Sequence, residues 1–339
     1  MATENYIVKS SDLSNPKKDI IGVTQKSMCM LADVVNTTIY RAITDLGIEP
    51  IEGSSKKNCR YSIENTRKVL KGYFFDRFVS KLKVQCFYNF KGGVGKTSLC
   101  FQISSHLALC GYNVLVIDAD PQGHLSTSLG IDTEKSYYTL FDAIIGNVEL
   151  EKCIKNIYEG FDCIPSNLAM TRAEIALTEM ENRGIERISK LIQPFINKYD
   201  FIIFDTNPTI GCLNRSILMC CDMINIVVET QAYSLNGVKL LLGDIFNLFK
   251  LQEKNIPEIL MIPNKYEDRT VVSGEAMSIL SGSYYNYLKP DFAIRRSEDF
   301  NIASKISKPL AFFCRYNSLA FEDIVEILRY FVQKACRRK

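Results

Sequence analysis

The stretch Lys91-Gly92-Gly93-Val94-Gly95-Lys96-Thr97-Ser98 decides the fold of this chain. A phosphate-binding loop usually reads G-x-x-x-x-G-K-[ST], and its first glycine would stand where this chain has Phe90. The three glycines still allow successive backbone N–H groups to converge on a phosphate without Cβ clashes. A β-branched and aromatic run at 84–90 precedes the loop, and a helix-like run from Thr97 to Leu109 follows it. Strand, loop and helix therefore stand in the order that phosphate binding requires.

The side chains of this loop predict a magnesium nucleotide. Lys96 brings a positive charge to the β- and γ-phosphates, and the Thr97 hydroxyl can ligate Mg²⁺. The positive end of the following helix adds to the attraction. The cofactor-binding residues that we expect are Gly92, Gly93, Val94, Gly95, Lys96, Thr97 and Ser98.

Composition sets wide limits on the remaining possibilities. The chain has 339 residues, of which 47% are hydrophobic, so it can bury one large domain and a smaller one. Its net charge of +3 means that any nucleic-acid surface is local. The 12 cysteines lack C-x-x-C spacing, and we see no secretory leader, which favours a reducing cytoplasm. Only His106 and His124 are present, so a histidine-based metal site or catalytic triad is not expected.

From residue 82 onward, apolar strand candidates alternate with helical segments. This order predicts an α/β fold, with a mostly parallel sheet covered by helices on both faces. The strand candidates are 84–90, 114–118, 201–205, 223–228 and 258–262. Two of them end in aspartate, at Asp118 and Asp205. Ligands of open α/β sheets lie at the carboxyl ends of strands, so we expect both aspartates in one site with the loop.

The carboxylates suit phosphoryl transfer, which needs a held Mg²⁺ and an oriented water. Asp205 is expected to serve the metal, together with Thr97. Asp120, in the segment D-A-D-P-Q-G, is expected to position water, and Asp118 to stabilise either the turn or the metal shell. Each aspartate could instead be a helix N-cap or a turn former.

The first 80 residues differ in character. Residues 1–20 are polar and are expected to form a flexible arm, and residues 21–80 show short helical patterns with a basic loop. Thr37-Thr38 is a predicted N-cap of the second helix. The segments around Arg41 and Arg60 resemble the recognition helix and wing of winged, MerR-like helix-turn-helix modules, which would place a helix in the major groove. A small helical dimerisation or packing cap is the alternative.

Taken together, K-G-G-V-G-K-T, D-x-D-P-Q-G and D-T-x-P resemble the deviant-Walker P-loop ATPases of the ParA/MinD family, most closely the ParA-type partition ATPases. The resemblance covers about residues 82 to 335, within an ATPase domain expected at 81–339. Further matching segments lie at 229–237, at 263–269 and at 294–298. A helix-turn-helix module ahead of such an ATPase is similar to the larger partition ATPases that also repress their own operon.

The resemblance implies roles for individual residues. Lys91 matches the signature lysine that reaches the phosphates of a partner protomer, so a homodimer with ATP and Mg²⁺ is implied. Asp120 matches the residue needed for hydrolysis, and Lys91, Asp120 and Lys96 form the implied catalytic set. Asn264 matches a residue that contacts adenine. Arg295 and Arg296 match contacts to non-specific DNA, beside possible operator contacts from the amino-terminal module. The implied partner is a ParB-type centromere-binding protein, with no membrane, and the implied location is the nucleoid.

Departures from the family pattern and rival functions remain. Asn207 and Glu229 stand where the family often has proline, and His124 stands where it often has asparagine. A MinD-like membrane ATPase would use an amphipathic helix near the carboxyl terminus. Apolar residues do recur there at helical spacing, as they would in a helix packed on the core: Phe321, Ile324, Val325, Leu328, Phe331 and Val332. A DNA-binding regulator that binds ATP without turnover is a second rival.

Overall fold

A computed structural model describes residues 22–54, 59–73, 77–79, 81–133, 135–231 and 234–338. The expected arm at 1–20 lies outside these residues, as do Lys56 and Lys57 of the basic loop and two residues of the segment at 229–237.

The described residues form alternating strands and helices. The strands are β1 (Val23–Thr24), β2 (Arg60–Tyr61), β3 (Arg77–Val79), β4 (Val84–Tyr88), β5 (Val114–Asp118), β6 (Lys155–Tyr158), β7 (Phe161–Ile164), β8 (Phe201–Asp205), β9 (Met223–Glu229), β10 (Glu258–Asn264) and β11 (Cys336–Arg338). The helices are α1 (Gln25–Ala32), α2 (Asn36–Asp45), α3 (Ile63–Tyr73), α4 (Lys96–Leu109), α5 (His124–Ser128), α6 (Leu140–Ile144), α7 (Ala173–Glu179), α8 (Asn182–Ile185), α9 (Arg187–Ile192), α10 (Cys212–Leu218), α11 (Ser234–Leu251), α12 (Val271–Tyr284), α13 (Asp299–Ile306) and α14 (Leu319–Ala335).

The main sheet has seven strands in the order β10-β9-β4-β8-β5-β7-β6. All neighbours are parallel except β6, which pairs antiparallel with β7 at one edge. The expected α/β fold with a mostly parallel sheet is confirmed. All five predicted strands are present, and the short strands β6 and β7 were not predicted.

Helices cover both faces of this sheet because its strands are apolar on both sides. Alternate residues of β4 and β5 enter two different cores, with Phe87 and Val116 on one face and Tyr88 and Ile117 on the other. The register of β5 against β8 sets Asp118 directly opposite Asp205. The central strands therefore bring the two predicted carboxylates together at the carboxyl edge.

The amino-terminal helices α1, α2 and α3 share one hydrophobic core with α4 and α14. Thr24 caps α1 by accepting a hydrogen bond from the Ser27 N–H. The predicted N-cap of α2 at Thr37-Thr38 is wrong, because α2 begins at Asn36 after Val35, which provides no side-chain cap. A short turn joins α1 to α2, while the helix-turn-helix identity of this module and its DNA binding stay predictions.

The apolar stripe of α14 is buried. All six of its predicted members are at most 4% exposed. They pack on the core, which is the ordinary reason for a helical stripe. Within the described residues, no helix is both long and apolar enough to span a bilayer.

Candidate nucleotide site

The phosphate loop joins β4 to α4 and depends on its glycines. Gly93 and Gly95 have φ angles of 74° and 100°, in the left-handed region that favours glycine. A Cβ at Gly95 would lie 2.2 Å from the Asn264 amide nitrogen. That nitrogen donates a hydrogen bond to the Val94 carbonyl at 2.8 Å. The end of β10 is thus fastened to the loop, and Gly95 permits the close approach.

Lys96 opens α4 and points along the loop. Its side chain is buried, and its ammonium donates a hydrogen bond to the Lys91 carbonyl at 3.3 Å. Burial lowers the pKa of Lys96, against the opposing effect of Asp205 and Asp120. A buried cation at the start of a helix attracts an anion strongly, which fits the predicted phosphate-binding role.

Asp118, at the end of β5, already uses both of its carboxylate oxygens. One accepts from the Asp120 N–H, and the other from the Ser126 N–H and hydroxyl at 2.9 and 2.7 Å. Burial raises the pKa of Asp118 to about 6, while these hydrogen bonds act in the opposite direction. Of the two roles that the sequence left open, stabilisation of the turn fits this geometry, and its metal-shell role stays untested.

Asp205 lies at the end of β8, opposite Asp118, and its carboxylate differs from that of Asp118 in its hydrogen bonding. Both of its oxygens are buried, and neither accepts a hydrogen bond within the described part of the chain. Burial and the neighbouring Asp118 raise the pKa of Asp205 well above its usual range, opposed by Thr97 and Lys96. An orphaned buried carboxylate is costly unless a ligand completes it.

The residues present therefore fit a magnesium ion. Thr97 would ligate it directly and Asp205 would hold it through water, with the nucleotide and further water as the remaining oxygen ligands, as Mg²⁺ prefers. A site built from the protein alone would need more ligands, and the described residues contain no group of three or more His, Cys, Asp or Glu suited to a metal.

Asp120 lies on the loop after β5 and is partly exposed. One of its oxygens accepts a hydrogen bond from the Gln122 N–H at 3.0 Å. Its partial exposure leaves it open to water, as a residue that positions water requires. Its predicted role in hydrolysis is untested.

Lys91 and Glu229 form an ion pair that the sequence did not predict. The Lys91 ammonium lies 3.0 Å from one Glu229 oxygen, and Lys265 lies 3.2 Å from the other. Lys265 also donates to the Gly93 carbonyl at 2.6 Å. Glu229 ends β9, which neighbours β4, so the sheet order brings it beside the loop. The sequence signal that could have indicated this pair was a glutamate at position 229, where the family often has proline.

A cavity of about 230 Å³ continues from the loop. Gly95 and Ser98 line one side, Asn264 and Lys265 another, and the segment from Arg295 to Ser297 a third. It is polar, and it adjoins the amino end of α4. Its position suits the base and ribose of a nucleotide whose phosphates lie on the loop.

Comparison with known proteins decides the family. A model of the AAA domain matches residues 82–259. The cell division protein PomZ of Myxococcus xanthus is 33% identical over 238 residues, which cover 69% of this chain and 74% of PomZ. This chain belongs to the ParA family of P-loop ATPases.

A further relative and a solved structure are consistent with this assignment. The sporulation initiation inhibitor Soj of Bacillus subtilis is 32% identical over 181 residues, which cover 53% of this chain and 70% of Soj. The solved structure of a Cyanothece McdA variant in complex with ATP shares the fold, with a TM-score of 0.67 and 22% identity, covering 75% of this chain and 97% of McdA. The ParA-family fold thus occupies most of the chain.

The arginines predicted to contact DNA lie in different surroundings in this ParA-family ATPase. Arg295 pairs with the buried Asp323 and with Glu322. Arg296 pairs with Glu267, and its side chain remains 67% exposed. Arg295 and Arg296 both border the cavity beside the phosphate loop.

The two amino-terminal arginines also differ. Arg41 is exposed on α2. Arg60 donates to the carbonyls of Gly22 and Phe312 at 2.8 and 2.7 Å. Arg60 therefore joins the amino-terminal module to the ATPase core, which gives it a structural task that the sequence did not suggest.

Proposed function

We propose that this protein is a DNA partition ATPase that segregates a plasmid or similar replicon. It binds ATP with Mg²⁺, dimerises, binds non-specific DNA in the cytoplasm and releases it after hydrolysis. A centromere-binding partner of the ParB type stimulates that hydrolysis. The observation that carries the proposal is the meeting of Lys91, Lys96 and the orphaned Asp205 around one phosphate loop.

Each step has residues suited to it. The loop N–H groups and Lys96 hold the phosphates, while Asp205 and Thr97 hold the metal. Magnesium, when bound, neutralises charge on the phosphates. Asp120 orients the attacking water, and Lys91 of one protomer approaches the nucleotide of the other. Because this cation comes from the other protomer, dimerisation depends on which nucleotide is bound.

Two surfaces would contact DNA. Arg296 is suited to phosphates because it is exposed beside the nucleotide cavity, so a nucleotide-dependent change there can alter DNA affinity. The face of α2 that carries Arg41 is suited to operator DNA, which would let the protein repress its own operon. The proposal thus separates non-specific from operator binding.

Electrophoretic mobility of two DNA fragments tests this proposal. A non-specific fragment and the DNA upstream of the operon are titrated with ATP, ADP and no nucleotide. We expect ATP to increase binding of the non-specific fragment by about tenfold or more over ADP. An equal affinity in all three conditions would contradict the nucleotide switch.

Two matched variants separate the surfaces. Arg296→Gln should weaken non-specific binding and reduce its salt dependence, because one phosphate contact is lost. Arg41→Gln should weaken operator binding and leave the non-specific fragment unaffected. Loss of both activities in both variants would contradict two separate surfaces.

A second candidate cargo follows from the similarity to PomZ, which is named a cell division protein. The same ATPase cycle could position division machinery in place of a replicon. Deletion of the gene distinguishes the two: plasmid loss with normal cell length supports partition, whereas displaced septa with stable plasmids support division.

A further inference from the structure

The rim of the phosphate loop holds a compact charge cluster of Lys91, Glu229 and Lys265. The Glu229 side chain is only 12% exposed, whereas the two lysine side chains are 41% and 38% exposed. A largely buried carboxylate thus lies between two more accessible ammonium groups. Burial acts to raise the pKa of Glu229, but the hydrogen bonds and charges of the two lysines outweigh it, and the pKa is lowered. Glu229 is therefore ionised at neutral pH.

The backbone around Lys91 is also fastened to β9. The Asn89 carboxamide accepts from the Lys91 N–H at 2.9 Å and donates to the Val227 carbonyl at 2.8 Å. Val227 and Glu229 both belong to β9. Main chain and ammonium of Lys91 are thus held by the same neighbouring strand.

We propose that Glu229 is a positioning residue that holds the Lys91 ammonium on its own protomer and so sets the threshold for ATP-driven dimerisation. The inference rests on the proposed function, in which Lys91 acts across the dimer. Lys91 must then exchange Glu229 for the phosphates of the partner's nucleotide. Breaking the Lys91–Glu229 ion pair costs free energy, and this cost weakens the dimer.

Lys265 has the opposite effect on the same equilibrium. When Lys91 leaves, Lys265 continues to compensate the Glu229 charge at 3.2 Å. Without Lys265, the departure of Lys91 would leave a buried carboxylate unpaired, which is costly. Glu229 therefore opposes dimerisation, and Lys265 favours it.

Sedimentation velocity with a non-hydrolysable ATP analogue and Mg²⁺ tests the proposal. We expect Glu229→Gln to lower the dimer dissociation constant by about two- to fivefold relative to the unmodified protein. The difference should shrink with added salt, because the lost pair is partly exposed. Glu258→Gln is the matched control, since Glu258 pairs with Lys334 at the opposite end of the sheet. It should leave the constant unchanged.

Lys265→Met keeps the test from depending on one substitution. It should raise the dimer dissociation constant, whereas general damage to the loop would weaken dimerisation in both variants. ADP affinity of each monomer, measured by calorimetry, should shift less than the dimer constant. Thermal unfolding confirms that both variants are folded.

The outcomes distinguish this inference from the function on which it rests. Opposite shifts for Glu229→Gln and Lys265→Met support it. If the unmodified protein dimerises with the analogue but Glu229→Gln gives the same or a weaker dimer, the holding role is overturned and the dimer switch stands. If the unmodified protein fails to dimerise, the proposed function is overturned, and the inference with it.

Discussion

The two ends of α4 differ in whether the polar groups beside them have hydrogen-bond partners. At the amino end, Lys96 and Thr97 face a loop whose neighbour Asp205 has both oxygens without hydrogen bonds in the described chain. At the carboxyl end, the Arg67 guanidinium donates to the carbonyls of Ala108 and Tyr112 and to the Asn113 side chain. A cation at the last carbonyls also complements the helix dipole.

The difference shows which end is built for a ligand. Arg67 belongs to α3 of the amino-terminal module and is only 2% exposed, so its contacts contribute to the fold. At the loop end, the buried Asp205 carboxylate accepts no hydrogen bond within the described residues, so a magnesium nucleotide can satisfy it. One helix thereby connects the amino-terminal module to the nucleotide site.

The largest expected effect is at the carboxyl end of α4, where Arg67 binds the last carbonyls. Arg67→Met should reduce the free energy of unfolding by about 3 kcal/mol, because it leaves buried carbonyls without donors. Urea denaturation measures the change. Lys68→Met, on the exposed neighbour that pairs with Glu64, should cost only a few tenths of a kcal/mol. Equal losses in the two variants would show that Arg67 does not close the helix.

At the amino end of α4, we expect a substitution of Asp205 to change the ATPase activity and not to reduce the stability. Asp205→Asn should reduce Mg²⁺-dependent ATP hydrolysis by about 10- to 100-fold, as expected for a carboxylate that supports a metal through water. The ligand-free variant should be as stable as the unmodified protein or more stable, because an unpaired buried carboxylate has been removed. Steady-state hydrolysis and urea denaturation measure the two effects.

Asp132→Asn, on an exposed pair with Lys135, is the matched control for Asp205→Asn and should alter neither property. If Asp205→Asn destabilised the ligand-free protein while activity persisted, Asp205 would belong to the fold, as Arg67 does.

The most gradual effect is a pH dependence inside α4. His106 is buried between the Gln102 carbonyl and the Ala311 N–H, and burial lowers its pKa from 6.5 to about 4. The unfolded chain therefore binds the proton more readily. His106 should contribute no penalty above about pH 6.5, and stability should fall by at most about 1.4 kcal/mol per unit as pH decreases toward 4.

Urea denaturation at pH 7, 6 and 5 measures this loss. His106→Gln should flatten the dependence, whereas His124→Gln, on an exposed residue, should retain it. An unchanged slope in His106→Gln would show that the loss of stability does not come from His106.

Much of the nucleotide site could be predicted from the sequence because its parts are short and local. The loop and the apolar strands ending at Asp118 and Asp205 carry their own signals, and parallel pairing brings the strand ends together. The start of α2 was misplaced because threonine favours N-caps in general, yet Val35 precedes the helix here. The strand β6 has partly polar, exposed residues, so its edge position could not be separated from a loop.

The Lys91–Glu229 pair required knowledge of the sheet order. Lys91 and Glu229 are far apart in the sequence, and only the placement of β9 beside β4 joins them. In the same way, Arg60 was interpreted as a basic wing residue, because no local pattern indicates that its guanidinium donates to the Phe312 carbonyl. Long-range contacts of charged residues were thus the part that periodicity and motifs could not supply.

Mixing two inactive variants tests the central claim, that Lys91 acts across an ATP-dependent dimer, most directly. Lys91→Ala retains its own Asp120, and Asp120→Ala retains a Lys91 to offer its partner. DNA-stimulated ATP hydrolysis is measured for each variant and for their equimolar mixture. We predict that the mixture hydrolyses ATP well above the sum of the two separate variants. A mixture that stays at that sum, while both variants still bind ATP, would contradict the account.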